Sequence, residues 1–198
     1  MTDRLPPLYD VHEGRGARFT DFGGWQMPVQ YDSIREEHAA VRETVGIFDV
    51  SHMSEIEVSG PDATVLMNRL TTNDVAALDP GDAQYAGITT DDGILLDDTV
   101  VYRLPDGTEA GSANVVLSTL DDELCEPSGD PAYFFVPNAG HADEMLGRWV
   151  DPRDAGGFDA TVATTTDARA LVAVAGPAAA DAPAPAMTNA GAPVSADS

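Results

Sequence analysis

The stretch that decides the fold is residues 93–102, which read GILLDDTVVY. Two adjacent carboxylates, Asp97 and Asp98, stand between two apolar runs, where strand chemistry favours neither of them. Successive side chains of an extended strand point to opposite faces. If Asp97 faces solvent, Asp98 therefore faces inward, and a buried carboxylate is costly unless a partner stabilises it. An Asp-Asp turn between two short strands is the alternative interpretation of the same ten residues.

Periodicity in the rest of the chain predicts helices and strands in alternation. One helix is expected to begin at Asp32 or Ser33 and to end at Gly46. Residues 47–59 alternate as one strand, and Pro61 opens a second helix. Further elements are expected as strands near 84–90, 94–103 and 132–137 and as a helix near 141–150. Intermixed elements with hairpin-like joins indicate an α+β fold with mixed or antiparallel sheets.

The periodicity of each predicted element also indicates which side chains share a face. In the strand predicted over residues 47–59, Ile56 and Val58 share one face, and Glu55 and Glu57 lie on the other. The second helix is expected to turn four side chains toward the core: Val65, Leu66, Arg69 and Leu70.

Composition predicts an unusual environment. The chain of 198 residues carries 34 acidic and 10 basic residues, for a net charge of −24. All ten basic residues are Arg, and Asp outnumbers Glu by 24 to 10. Short carboxylates spread along a chain without Lys indicate a surface adapted to very high salt, where self-repulsion is screened. The alternative is an acidic protein that meets a basic partner.

Several classes of function are disfavoured by the same composition. Without a basic patch, we expect no nucleic-acid binding, and the negative charge argues against anionic membranes. Residues 1–7 have no apolar segment of a signal peptide, and a single cysteine, Cys125, fits a cytoplasmic protein. The four histidines lack metal-ligand spacing, so we expect no metal.

Five further segments accompany the Asp pair. They read DFGGWQMPVQY from residue 21, GIFDVSHM from 46, TTNDV from 71, QYAG from 84 and YFFVPNA from 133. In this order and spacing they closely resemble the aminomethyltransferases of the glycine cleavage system, the T-protein family. The resemblance breaks between residues 104 and 131. It covers the first half of a family whose members are about twice this length.

The resemblance implies a truncated form of the aminomethyltransferase folate-binding fold, of haloarchaeal type. The implied reaction moves a one-carbon unit from the aminomethyl-lipoyl arm of the H-protein to tetrahydrofolate, or another reduced pterin, and releases ammonia. The other glycine cleavage components are implied partners. Two alternatives stay open: a folate-binding relative of the demethylase-associated or iron–sulfur maintenance type, and an inactive remnant.

The resemblance also implies the site residues. Asp98 would be the catalytic carboxylate beside the pterin ring nitrogens, and partial burial would raise its pKa. Met53 and Tyr85 would wall the pterin slot. A strand would contact the pterin edge through Val136, Asn138 and Ala139. Pro137 in that strand lacks an N–H donor. Acidic and basic residues of the family's second half would complete the site.

Four regions are expected along the chain. Residues 1–56 form the first part of a folate-binding region, and residues 57–140 form a central α+β subdomain with an acidic insertion at 105–131. Residues 141–177 return into the first region. Residues 178–198 form a low-complexity tail, which is expected to be disordered.

Overall fold

The computed structural model describes residues 4–110, 129–167 and 169–181. Cys125, most of the acidic insertion and the tail beyond residue 181 lie outside the described residues. The described helices are α1 (Tyr9–Gly14), α2 (Ile34–Glu43), α3 (Ala63–Leu70) and α4 (Ala142–Gly156). The described strands are β1 (Arg18–Phe22), β2 (Trp25–Gln30), β3 (Gly46–Asp49), β4 (Ile56–Ser59), β5 (Ala83–Thr89), β6 (Leu95–Leu104), β7 (Ala132–Phe135), β8 (Thr161–Thr164) and β9 (Val172–Ala175).

The chain divides into two compact units. Unit 1 comprises Met1–His52 and Thr166–Ser198, and unit 2 comprises Met53–Thr165. Unit 2 holds a five-stranded antiparallel sheet in the order β5-β6-β7-β4-β8. The predicted α+β class with antiparallel sheets is therefore confirmed.

Aromatic packing closes the core of unit 2. The ring of Trp149 on α4 lies 4.4 Å from the ring of Phe135 on β7, measured between centroids. The Trp149 Nε1–H donates to Met67 Sδ on α3 at 3.0 Å. All three side chains are almost fully buried. Both helices are thus held against one face of the sheet, and on the opposite face of the β5–β6 hairpin the side chains of Tyr85 and Val100 are exposed.

Unit 1 is built from two small antiparallel sheets, β1-β2 and β3-β9, with α1 and α2. The β1-β2 hairpin turns through Gly23 and Gly24, at φ 63° and 87°. Two consecutive positive φ angles are the geometry that a tight two-residue hairpin needs, and glycine adopts them without strain. These two glycines therefore form the bend of the hairpin.

Helix α2 agrees with its predicted start. Ser33 is the N-cap, and its hydroxyl accepts the Glu36 N–H at 3.4 Å. The helix ends at Glu43, before the predicted Gly46, which instead begins β3.

The single strand expected over residues 47–59 is wrong. The chain forms β3 and β4 instead, because the boundary between the two units falls between His52 and Met53. Strand β3 pairs with β9, whereas β4 pairs with β7 and β8. Between two neighbouring strands every side chain of β4 is buried, including that of Glu57.

Two other expectations need correction. On α3 the buried side chains are Ala63, Leu66, Met67 and Leu70, while Val65 and Arg69 are exposed. The segment expected to return into the first region at residue 141 instead forms α4 in unit 2, since Trp149 is part of that core. The chain re-enters unit 1 at Thr166.

Candidate functional site

The β5–β6 hairpin carries the Asp pair. In the strand register Ile88 lies opposite Asp97, and Gly87 lies opposite Asp98. Directly opposed residues of an antiparallel pair share one face of the sheet. Ile88 is fully buried in the core, so Asp97 lies on the core face and is only 5% exposed. Asp98 lies on the other face and is partly exposed.

The predicted alternation is therefore confirmed. Asp97 lies inward and Asp98 outward, so the condition considered from the sequence, with Asp97 toward solvent, does not hold. The reason is parity along β6, because Asp97 and Thr99 lie on the same face as Val101, which packs in the core. The pattern of apolar residues on both sides of the Asp pair does not show which face the helices cover.

Asp97 is the most heavily hydrogen-bonded carboxylate of this site. Its Oδ1 accepts the Asp98 N–H at 2.9 Å and the Asn138 Nδ2–H at 2.6 Å. Its Oδ2 accepts the Asn138 N–H at 3.1 Å and lies 3.2 Å from His141 Nδ1. Burial raises the pKa of Asp97, but the hydrogen bonds from Asn138, from the Asp98 backbone and from His141 outweigh burial and bring the pKa below its ordinary value. Asp97 therefore holds its charge inside the protein.

Asp98 is contacted from two sides. The Asn138 Nδ2 lies 3.0 Å from Asp98 Oδ1 and 3.2 Å from the Asp98 carbonyl oxygen. The hydroxyl of Tyr85 hydrogen-bonds the Asp98 carboxylate, and this bond raises the pKa of Tyr85. The Tyr85 ring itself is 63% exposed. The Asp98 carboxylate is thus fixed by hydrogen bonds and lies beside the exposed aromatic ring of Tyr85.

The loop after β7 is brought over the Asp pair by Thr99. Its hydroxyl donates to the Val136 carbonyl at 2.9 Å and accepts the Val136 N–H at 3.0 Å. Pro137 follows and has no N–H for a strand ladder, so β7 ends at Phe135. The chain then turns and presents Asn138 to both carboxylates.

The site residues expected from the sequence are only partly brought together. Contacts among the described residues link Tyr85 and Asn138 to Asp98, and they tie Val136 to the same strand. They show no such contact for Met53 or Ala139, which are half-buried residues of unit 2. Sequence reasoning missed Asp97 and His141. The sequence could have indicated that Asp97 lies inward, because residues 97 and 101 are four positions apart and so lie on the same face of a strand.

A second polar network lies in unit 1. His12 Nδ1 is 2.5 Å from the Tyr31 hydroxyl, and His12 Nε2 is 2.7 Å from Asp49 Oδ2. Asp49 Oδ1 accepts the Ser51 N–H at 2.9 Å. Burial and the Asp49 charge raise the pKa of Tyr31. The network joins α1, the end of β2 and β3, so it serves the packing of unit 1.

Neither a metal cluster nor a membrane-crossing helix is found in the described ranges. No group of three or more His, Cys, Asp or Glu side chains there is arranged to hold a metal ion. No helix in these ranges is long and apolar enough to span a membrane.

Fold and site together define an α+β protein with a carboxylate-centred site on the open face of an antiparallel hairpin. The family description "GCVT N-terminal domain" matches residues 8–116. A relative from Natronomonas pharaonis, named "Probable aminomethyltransferase", is 55% identical over 177 residues, covering 89% of this chain and 43% of the relative. The "Aminomethyltransferase" of Bacillus subtilis is 40% identical over 171 residues, covering 86% of this chain and 40% of the relative.

A solved structure agrees with these relatives. The crystal structure of glycine cleavage system aminomethyltransferase T from Bartonella henselae matches with a TM-score of 0.71 and 30% identity. The match covers 90% of this chain and 42% of that one. The chain belongs to the GCVT aminomethyltransferase family, and it spans less than half the length of the curated relatives it matches.

Proposed function

We propose that this chain is the N-terminal part of a glycine cleavage aminomethyltransferase. The reaction moves the one-carbon unit from the aminomethyl-lipoyl arm of the H-protein to tetrahydrofolate and releases ammonia. The observation that carries the proposal is Asp98, a partly exposed carboxylate bonded by Tyr85 and Asn138 on the open face of the β5–β6 hairpin. The family relationship supports the same assignment.

The surface around Asp98 suits a flat ring that carries N–H donors. Tyr85, Leu95 and Val100 are all exposed beside it. Gly87, opposite Asp98, has no side chain, and a Cβ there would lie 3.1 Å from Leu95 Cδ1. Apolar and aromatic walls accept a pterin ring, and a carboxylate accepts its N–H groups and handles a proton. Tetrahydrofolate, when bound, supplies the ring nitrogen that receives the one-carbon unit.

The other predicted contacts stay part of the proposal. Met53 is proposed as a wall of the slot, and Ala139 as a backbone contact to the pterin edge. Val136 has already given its N–H and one carbonyl lone pair to Thr99. A contact from Val136 to a pterin would therefore use the second lone pair of the carbonyl.

The remaining parts of the reaction are proposed from the longer relatives. The lipoylated H-protein and the other glycine cleavage components are the proposed partners, and the cytoplasm is the proposed location. The resemblance places further charged groups of the site in the second half of the family, and this chain covers 43% of the Natronomonas pharaonis relative. Because half a site loses most of the positioning on which such a transfer depends, we expect the isolated chain to show little or no activity.

The test compares the 198-residue chain with the same chain fused to the remaining part of the Natronomonas pharaonis relative. Both are purified in molar salt and assayed with aminomethyl-lipoylated H-protein and tetrahydrofolate. We expect transfer by the fusion and little or none by the chain alone. A folded fusion that binds tetrahydrofolate without transfer would reject the enzyme in favour of a folate-binding protein. Full turnover by the chain alone would contradict the need for a second half.

A further inference from the structure

We propose that Asp97 is a positioning residue that fixes the orientation of the Asn138 side-chain amide. In this orientation the site offers hydrogen-bond acceptors to a ligand, and it therefore selects a reduced pterin over an oxidised one. The proposal rests on the function proposed above for Asp98. Its first support is the completeness of the contacts that Asp97 makes. Both of its carboxylate oxygens have partners inside the protein, and two of these hydrogen bonds come from Asn138. Hydrogen bonds from N–H groups to an ionised carboxylate are charge-assisted, and they are stronger than hydrogen bonds between two neutral groups.

The orientation of the Asn138 amide follows from its neighbours. One Nδ2 hydrogen points to Asp97 Oδ1 at 2.6 Å, and the other is shared between Asp98 Oδ1 and the Asp98 carbonyl oxygen. All three neighbouring atoms are acceptors. A rotated amide would place its oxygen against them, including a 2.6 Å approach to a charged oxygen, and would lose every bond. Asp97 and Asp98 together therefore determine which end of the amide faces inward, and the shortest of the three contacts is to the charged Asp97 oxygen.

This orientation has a consequence for any bound molecule. With both Nδ2 hydrogens committed, the Asn138 side chain has only its oxygen acceptor left for a ligand. Asp98 is also an acceptor while it is ionised. Two acceptors favour a ring edge with N–H donors, as in a tetrahydropterin. They disfavour a fully oxidised pterin, whose corresponding pyrazine nitrogens are acceptors themselves, because acceptors that face each other once the ring covers them are left unpaired.

Substitution of Asp97 by Asn removes the charge and supplies an amide of the same shape. The Asn138 amide then keeps only the two Asp98 acceptors to orient it and presents a hydrogen to the ligand more readily. We expect the preference for tetrahydrofolate over folic acid to fall by about tenfold or more. A role of Asp97 confined to stability would lower both affinities together and leave their ratio unchanged.

The experiment measures the affinities of tetrahydrofolate and folic acid, in molar salt, for the chain fused to the remaining part of the Natronomonas pharaonis relative. Asp92→Asn is the matched control, since Asp92 is an exposed carboxylate in the turn before β6. Thr64→Val is the stability control, because it removes a 2.8 Å hydrogen bond to Tyr133 elsewhere in unit 2. We expect both controls to keep the wild-type ratio. A folded Asp97→Asn variant that also keeps it would overturn the proposal.

A second readout needs no ligand. The side-chain ¹H–¹⁵N signals of Asn138 should show slow exchange in the wild-type chain and about tenfold faster exchange in Asp97→Asn. If that variant does not fold, acidification of the wild-type chain replaces it, and the Asn138 signals should move together with the Asp97 carboxyl signal. Independent movement would reject the role of Asp97. Failure to bind either pterin, with the Asn138 response intact, would reject the proposed function but not the positioning by Asp97.

Discussion

The two units of the chain differ in how completely they bury their apolar side chains. In unit 2, Trp149, Phe135 and Met67 are almost fully buried between the sheet and two helices. In unit 1, α2 has no buried residue, and Ile34 and Ile47 are 67% and 73% exposed along a groove of about 1010 Å³. Burial of apolar surface is the main favourable term in folding. The stability of the described chain is therefore concentrated in unit 2, which also carries the Asp pair.

Salt dilution should have the largest effect and should separate the two units. At a net charge of −24 the chain repels itself, and this repulsion is screened within about 3 Å at 1 M salt. We expect the melting temperature to fall as salt is diluted below about 1 M. Hydrogen exchange should show amides of unit 1 losing protection before those of β6 and β7. A melting temperature that is constant or rises on dilution would contradict adaptation to high salt.

Truncation of one side chain in each unit should give the next largest difference. Trp149→Ala should cost about 3–5 kcal/mol in the free energy of unfolding, because it empties the centre of the unit 2 core. Ile47→Ala should change this free energy by no more than about 0.5 kcal/mol, since Ile47 is largely exposed. Denaturant unfolding in molar salt measures both. Equal losses would mean that unit 1 has a core of comparable quality.

A smaller effect is expected from the pKa of Asp97. Because this pKa lies below the ordinary 3.8 in the folded chain, the carboxylate adds stability above that pH and loses it as the pH falls through the folded value. The stability difference between wild type and Asp97→Asn should therefore be constant near neutrality and shrink below about pH 3.8. The comparison of wild type with Asp92→Asn supplies the control. A difference that grows on acidification would show the opposite sign of the shift.

The sequence predicted much of the fold of both units. The N-cap at Ser33 and the Gly23-Gly24 turn depend on local chemistry, so they could be recognised. The unit boundary after His52 could not be recognised from the sequence, because an alternating pattern that continues from one unit into the next looks like a single strand. It appears only when β3 and β4 are seen to pair with different partners.

The site residues named from the resemblance remain a prediction, and the structure shows how some of them are arranged. Asp98, Tyr85 and Asn138 were named from the resemblance, and the structure places them in contact. Which of Asp97 and Asp98 lies inward could be stated only as a condition, because an isolated strand pattern does not show which face the helices cover. The bonds from Asn138 to Asp97 join residues 41 positions apart, and no local pattern predicts them.

Asp98 is the residue that we propose to handle a proton in aminomethyl transfer, and its replacement in a protein with both halves tests that role. Asp98→Asn is introduced into the fusion with the remaining part of the Natronomonas pharaonis relative, with Asp92→Asn as the control of equal charge change. Loss of a positioned proton-handling group should lower the transfer rate by about a hundredfold or more, whereas the control should stay within about twofold. A folded Asp98→Asn fusion that transfers at the wild-type rate would contradict the account.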